Sequence, residues 1–284
     1  MVDFSLVISV YEKEDADVFA QCVASVLSQS VLPNEWIIVK DGPLTEGLEA
    51  VIMGIRFPNE LRIIALPKNV TQGPARAEGV RAARHTWVAI MDSDDICLPD
   101  RFEKQLAMLE GDARLGLIGG QIAEFRDDPA SVSAVRVVPL KHAAIVKYSK
   151  TRNPFNNMTV MMKRELALAA GNYRLFEWFE DYDLWTRMIE AGAVCANHPD
   201  VLVNVRVGNI GGGMYARRRG LRYIKSELRM QRQLKSMGII GHAGYIRNLA
   251  VRIPARLLPA RGVAAVYRIF ARAKTDQTPT NHDR

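Results

Sequence analysis

Cysteine is scarce and scattered. Cys22, Cys97 and Cys195 make no C-x-x-C pair and no zinc-binding spacing, which excludes a disulfide scaffold and a zinc ribbon and favours a reducing compartment. There is no G-x-x-x-x-G-K-[ST], no G-x-G-x-x-G and no H-E-x-x-H. A P-loop enzyme, a dinucleotide dehydrogenase and a zincin are therefore disfavoured. Gly211-Gly212-Gly213 is a break in the chain rather than a phosphate loop, because no helix-entry lysine and serine follow it. The histidines are isolated, and none is assigned a ligand role. No apolar run approaches the roughly 20 residues of a spanning helix. The first apolar segment ends in the charged run Glu12 to Asp15, so no secretory leader is expected and a cytoplasmic location is. Acids are nearly missing from one end: residues 217–274 hold 15 Lys plus Arg against one acid, Glu227, while residues 1–216 hold 22 basic and 28 acidic groups. That asymmetry points to an anionic partner for the basic end, a membrane surface or nucleic acid.

What is present is an ordinary folded composition, 48% hydrophobic and 24% charged over 284 residues, enough for one large α/β domain with an appendage. Leu6–Tyr11 reads as a buried strand, and Trp36–Val39, Leu61–Leu66 and Trp87–Met91 read as the strands that follow it. Val18–Gln29, Leu48–Ile55, Pro74–Arg84 and Pro99–Leu109 read as the helices that follow them. Four β-α repeats with continuously apolar strands imply a parallel sheet covered on both faces. Beyond Gly116, strands are expected at Leu117–Phe125, Val132–Val138, after Asn157, and at Val201–Val207. Helices are expected at Lys141–Ser149, Arg164–Ala170 and Glu180–Gly192. Glu180, Asp181 and Asp183 stand in the first turn of the last of these, where carboxylates suit the helix dipole.

The most informative stretch is W-V-A-I-M-D-S-D-D-I-C-L-P-D-R-F, Trp87–Phe102. An apolar strand stops at three carboxylates, Asp92, Asp94 and Asp95. Hard cations such as Mg²⁺ or Mn²⁺ take such oxygens. Strand alternation would bring Asp92 and Asp94 to one site and turn Ser93 away, with Asp95 left to support or to the helix start. By itself such a triplet also suits an acidic surface turn. Ligands in open parallel sheets bind beyond the carboxyl ends of the strands, and Tyr11, Asp41 and Asp92–Asp95 all fall there.

The motifs S-V-Y at 9–11, V-L-S-Q-S at 26–30, V-K-D-G at 39–42, G-P-A-R-A-E-G at 73–79, M-D-S-D-D at 91–95 and E-D-Y-D-L-W at 180–185 occur in this order. Together they resemble a family 2 glycosyltransferase of GT-A fold, of the bacterial exopolysaccharide, capsule or O-antigen type, over roughly residues 4–208. The resemblance implies an inverting, metal-dependent transfer of a sugar from a nucleotide diphosphate donor, a UDP-sugar foremost, to a hydroxyl of a lipid-linked glycan. It implies a nucleotide-binding half at 1–110 and an acceptor half at 111–210. Ser9, Tyr11, Glu12, Asp41, Arg76, Asp92 and Ser93 match the nucleotide-sugar set, Tyr11 as the base-stacking ring. Asp94, with Asp92, matches the Mn²⁺ or Mg²⁺ ligands. Asp181 matches the base, with Glu180 its neighbour. Asn156, Asn157, Phe176 and Trp178 are acceptor-side candidates. Lys40 stands where many members carry another Asp, and no histidine follows Val207, where some members supply a further metal ligand.

The extension at 211–274 is expected to be helical and basic. Ala216–Met237 would pack on the catalytic domain through Leu221, Ile224 and Leu228. Val263, Val266, Tyr267 and Phe270 oppose Arg261, Arg268 and Arg272 as in a helix lying on an anionic membrane surface, which gives a peripheral location on the inner face of the cytoplasmic membrane. Nucleic acid is set aside, because no recognised binding motif is present. Residues 275–284 read as a disordered tail. Two other functions fit an α/β sheet with an acidic rim. A sugar nucleotidyltransferase would need a glycine-rich triphosphate loop, which is missing. A non-catalytic, membrane-associated glycan-assembly protein would not need the intact acids.

Overall fold

The structure, a computed structural model, describes residues 2–207 and 220–257. β1 (Phe4–Val10), β2 (Glu35–Lys40), β3 (Glu60–Ala65) and β4 (Trp87–Asp92) alternate with α1 (Ala16–Leu27), α2 (Glu46–Gly54) and α3 (Gln72–Ala82). The strands lie side by side as β3-β2-β1-β4, all parallel. Alternation along β1 sends Leu6 and Ile8 to one face, with Phe19, Cys22 and Val26 of α1, and Val7 to the other, with Ala75, Ala77 and Val80 of α3. α1 begins where Asp15 accepts hydrogen bonds from the Asp17 and Val18 N–H groups.

After the acidic triplet come a two-residue strand that the sequence did not announce, β5 (Ile96–Cys97), and α4 (Arg101–Gly111). Arg101 is fully buried under β4 and donates to the Ile90 carbonyl and the Gln105 amide oxygen, fixing the strand end that carries the acids. The second half comprises β6 (Leu115–Phe125), β7 (Val132–Arg136), α5 (His142–Ser149), β8 (Met161–Lys163), α6 (Arg164–Ala169), α7 (Glu180–Glu190) and β9 (Val194–Arg206). β8 runs antiparallel between β4 and β6 and fuses both halves into one nine-stranded sheet, which continues through β9 to β5. β9 is twice as long as expected, because its first residues pair with β6 before the predicted start at Val201.

α8 (Gly220–Ser236) and α9 (His242–Leu257) pack on this body. One expectation is corrected here. The buried face of α8 is Tyr223, Ile224, Glu227, Met230, Gln231 and Leu234, whereas Leu221 is 74% exposed. The helix α9 lies within the helical extension expected at 211–274, and Pro254 sits in its exposed last stretch. Among the described residues no helix is long and apolar enough to cross a membrane. Gly211–Gly213, the amphipathic segment at 261–272 and the tail at 275–284 lie outside the described residues.

Candidate active site

The register aligns Ser9 with Asp92 and Val10 with Lys40, so three strand ends open side by side. Ser9, Tyr11, Asp41, Asp92, Ser93 and Asp94 line one pocket of about 380 Å³, together with Glu14, Asn69, Thr71 and Gln72. That volume suits a small organic ligand. Ser93 and Asp94 lie in a turn, not in the strand. The alternation that should have turned Ser93 away therefore ends at Asp92, and all three residues line the cavity. Glu12 is exposed, and Glu14 stands in the lining instead. The 69–72 segment was missed, although it follows the carboxyl end of a fourth parallel strand, β3, and the same rim argument covered it.

Asp41 is buried and accepts the Val70 N–H at 2.6 Å, while the Asn69 amide donates to its carbonyl at 3.3 Å. Burial raises the Asp41 carboxyl against the pull of the Val70 and Thr71 N–H groups. Gly42 is required beside it: its φ is +91°, and a Cβ would stand 2.7 Å from the Asn69 nitrogen. Thr71, at the mouth of α3, holds a φ of +76°, a strained value for a β-branched residue, within the pocket lining. Lys40 is paired with Glu49.

Asp95 is buried and takes the Arg206 N–H at 2.9 Å, tying the end of β9 to the acidic turn. Burial and then the charge of Asp92 push Asp94 up to about 6. Arg76 is 2% exposed and sits behind the rim. It donates to Asp92 at 2.5 Å and to Glu180 at 3.4 Å, with Tyr173 beneath it. Asn157 donates to the same Asp92 oxygen at 3.2 Å and is itself fixed by the Tyr173 hydroxyl at 3.0 Å. Gly73 allows α3 to meet the start of α7: a Cβ there would stand 2.7 Å from the Arg174 carbonyl and 3.0 Å from the Glu180 Cβ.

Glu180, at the start of α7, is thus tied to the donor rim through Arg76. Burial and the charge of Asp181 push Glu180 up to about 7, against the pull of Arg76. Burial also raises Asp181, opposed by the Tyr182 N–H, Arg76 and Asn153. The other acceptor-side candidates separate. Asn156 has no exposed surface and donates to the Gly120 carbonyl. Phe176 is 2% exposed and packs 6.0 Å from Phe179 in a cluster with α8, so its expected role as an open stacking ring is corrected to core. Trp178 is half-buried, 5.1 Å from Tyr223. Among the described residues, no group of three or more His, Cys, Asp or Glu side chains is gathered to hold a metal ion.

A family model described as Glycosyl transferase family 2 matches residues 5–171. The chain belongs to that family. This glycosyltransferase is 37% identical over 269 residues to an amylovoran biosynthesis glycosyltransferase of Erwinia amylovora, covering 93% of this chain and 97% of that one. It is 30% identical over 265 residues to the UDP-Gal:alpha-D-GlcNAc-diphosphoundecaprenol beta-1,3-galactosyltransferase of Escherichia coli, covering 93% and 95%. Among solved structures, it superposes on the mannosyltransferase PcManGT of Pyrobaculum calidifontis, in complex with GDP-Man and Mn²⁺. That match has a TM-score of 0.58 at 16% identity and covers 94% of this chain and 80% of that one. The shared architecture is the GT-A fold.

Proposed function

We propose that the protein is an inverting, metal-dependent glycosyltransferase of bacterial surface-polysaccharide assembly. It moves a sugar from a nucleotide diphosphate donor, a UDP-sugar foremost, to a hydroxyl of a lipid-linked glycan. The observation that carries this is the Asp92–Arg76–Glu180 chain of ion pairs, which sets the donor rim against the first turn of α7. The named activity of the Escherichia coli relative, with a UDP-sugar donor and a diphosphoundecaprenol acceptor, supports the substrate class.

Tyr11 and Asp41 hold the nucleoside in this scheme, with Ser9 and Ser93 beside them. The carboxylates suit a hard cation. Burial and then the charge of Asp92 hold the Asp94 carboxyl above its ordinary value, and Mg²⁺ or Mn²⁺ sites characteristically combine one or two carboxylates with substrate phosphates. Asp94 would hold the ion directly and Asp92 would contact it through water or the ribose; the ion would stabilise charge on the departing nucleoside diphosphate. Asp181 takes the proton of the acceptor hydroxyl. The hydroxyl oxygen bonds to the anomeric carbon from the far side as the bond to the diphosphate oxygen breaks, its electron pair leaving with the diphosphate. One carboxylate base suffices, and the anomeric configuration inverts.

Screening UDP-, GDP- and dTDP-sugars with Mn²⁺ and a polyprenyl-diphosphate-linked sugar tests this directly. Transfer by the wild type, lost in Asp181→Asn with donor binding kept, is the expected result. Pyrophosphate release from a nucleoside triphosphate, or no turnover of any donor, would overturn it. The basic 217–274 segment is assigned to an anionic membrane surface; exposed Leu221, Ile246 and Val251 beside arginines support it. Liposomes with anionic lipid should retain the full chain and release a version ending at Ser236; equal retention refutes this assignment.

A further inference from the structure

The proposed base is not held by its own helix alone. Asp181 Oδ1 accepts the Tyr182 N–H at 2.6 Å, and Oδ2 accepts Asn153 Nδ2 at 2.6 Å. The Asn153 amide has a defined orientation, because its oxygen accepts the Phe155 N–H at 3.3 Å and leaves the nitrogen for Asp181. The backbone leading into Asn153 is gripped from several elements. The Tyr182 hydroxyl donates to the Ser149 carbonyl, Asn248 to the Lys150 carbonyl at 2.9 Å, Arg252 to the Thr151 carbonyl, and Arg136 to the Asn153 carbonyl at 3.2 Å.

Two of these contacts come from α9, and α9 is fixed by the lone acid of the basic extension. Glu227 has no exposed surface and takes two hydrogen bonds from Arg252, at 2.9 and 3.0 Å, with Arg256 at 3.6 Å. Gln231 donates to Glu227 at 3.1 Å and accepts from Asn248 at 2.9 Å. A polar lattice of this kind is geometrically exacting, since the buried Glu227, Gln231 and Asn248 find these partners in one arrangement. It therefore transmits the placement of α8 and α9 to residues 150–153.

We propose that Asn153 is the positioning residue of Asp181, and that the α8–α9 hairpin is the buttress that holds Asn153 in place. This rests on Asp181 being the base. The C-terminal helices then set the turnover rate as well as anchoring the chain. A carboxylate pinned at both oxygens presents a fixed lone pair to the acceptor hydroxyl, and misplacement by about 1 Å costs up to about 10²-fold. The groups facing Asp181 are Glu180 and Tyr182 on α7, Arg76 on α3, Arg136 on β7 and Tyr173 in the preceding loop. The Asn153 hydrogen bond, with the Tyr182 N–H, Arg76 and Arg136, favours the ionised form of Asp181, so its loss should move the acid limb of the rate profile to higher pH.

The test compares Asn153→Ala, the isosteric Asn153→Asp, Arg252→Gln and Asp181→Asn in the full chain, using the donor that turns over with wild type. The expected result is a fall in kcat of about 10- to 100-fold for the first three. Donor KM should change less than about twofold, with the acid limb moved upward in each. Asn153→Asp should show the largest move, because it sets a charge against Asp181. Wild-type kcat with an unmoved acid limb in Asn153→Ala, beside an inactive Asp181→Asn, overturns this inference and leaves the base assignment standing. Full activity in Asp181→Asn removes the base assignment first. Wild-type behaviour of Arg252→Gln overturns the buttress. A raised donor KM with an unmoved limb shows a merely structural role and also overturns it.

Discussion

Glu180 should be a residue that the fold keeps at a cost to stability. Replacing it with Gln removes the charge and retains the shape and the acceptor facing Arg76. An ordinary glutamate titrates near 4.5; here burial and Asp181 outweigh Arg76 and push the carboxyl up to about 7. A raised carboxyl is destabilising above the unfolded value. The folded state binds the extra proton between about 4.5 and 7, so stability falls through that window and stays low above it. Linkage gives a ceiling of about 3 kcal/mol at pH 8, and the close coupling to Asp181 makes about 2–3 kcal/mol the working figure. The side chain is only 14% exposed, so little of this is screened by water. Urea unfolding without donor should find Glu180→Gln more stable by about 2–3 kcal/mol at pH 8 and by less than about 1 kcal/mol at pH 5. A variant no more stable at pH 8, or a gap independent of pH, would refute the claim that Glu180 is a buried, compressed charge.

Arg76→Met should cost about 2–4 kcal/mol by urea unfolding and weaken donor binding, because it leaves Asp92 and Glu180 facing each other without a cation; an unchanged midpoint would contradict it. Glu227→Gln should leave Arg252 and Arg256 without their carboxylate at a cost of about 3 kcal/mol, seen as roughly 10²-fold faster amide exchange along 242–257. Unchanged exchange would show that the hairpin is held by its apolar face alone. Gly42→Ala should cost about 2 kcal/mol and weaken nucleotide binding, since the new Cβ displaces the 69–72 segment from the rim; wild-type affinity for UDP would show that the segment is not part of the donor pocket.

The donor half was legible because it depends on strand order alone. Apolar runs of five or six residues gave the parallel strands, and their carboxyl ends gave Tyr11, Asp41 and Asp92 a common rim. Ser93 was misplaced for a local reason: the period-two rule was extended one residue past the end of β4 into a turn. Arg76 was expected to face the nucleotide, but its pairing joins residues far apart in sequence, and nothing local to position 76 announces Glu180. The buried face of α8 was misjudged because hydrophobic patterning excludes Glu227 and Gln231 from an interior. Their burial becomes reasonable only once Arg252, Arg256 and Asn248 arrive from α9, about 17 to 29 residues further along the chain. Phe176 looked available because an irregular aromatic stretch resembles a sugar platform; α8 covers it.

The central claim is a single displacement with one carboxylate base at Asp181. Its most direct test is the anomer first released when the protein slowly hydrolyses an α-configured UDP-sugar, followed by proton NMR before mutarotation. The β-anomer should appear first, and Asp181→Asn should release neither. Initial release of the α-anomer would contradict it.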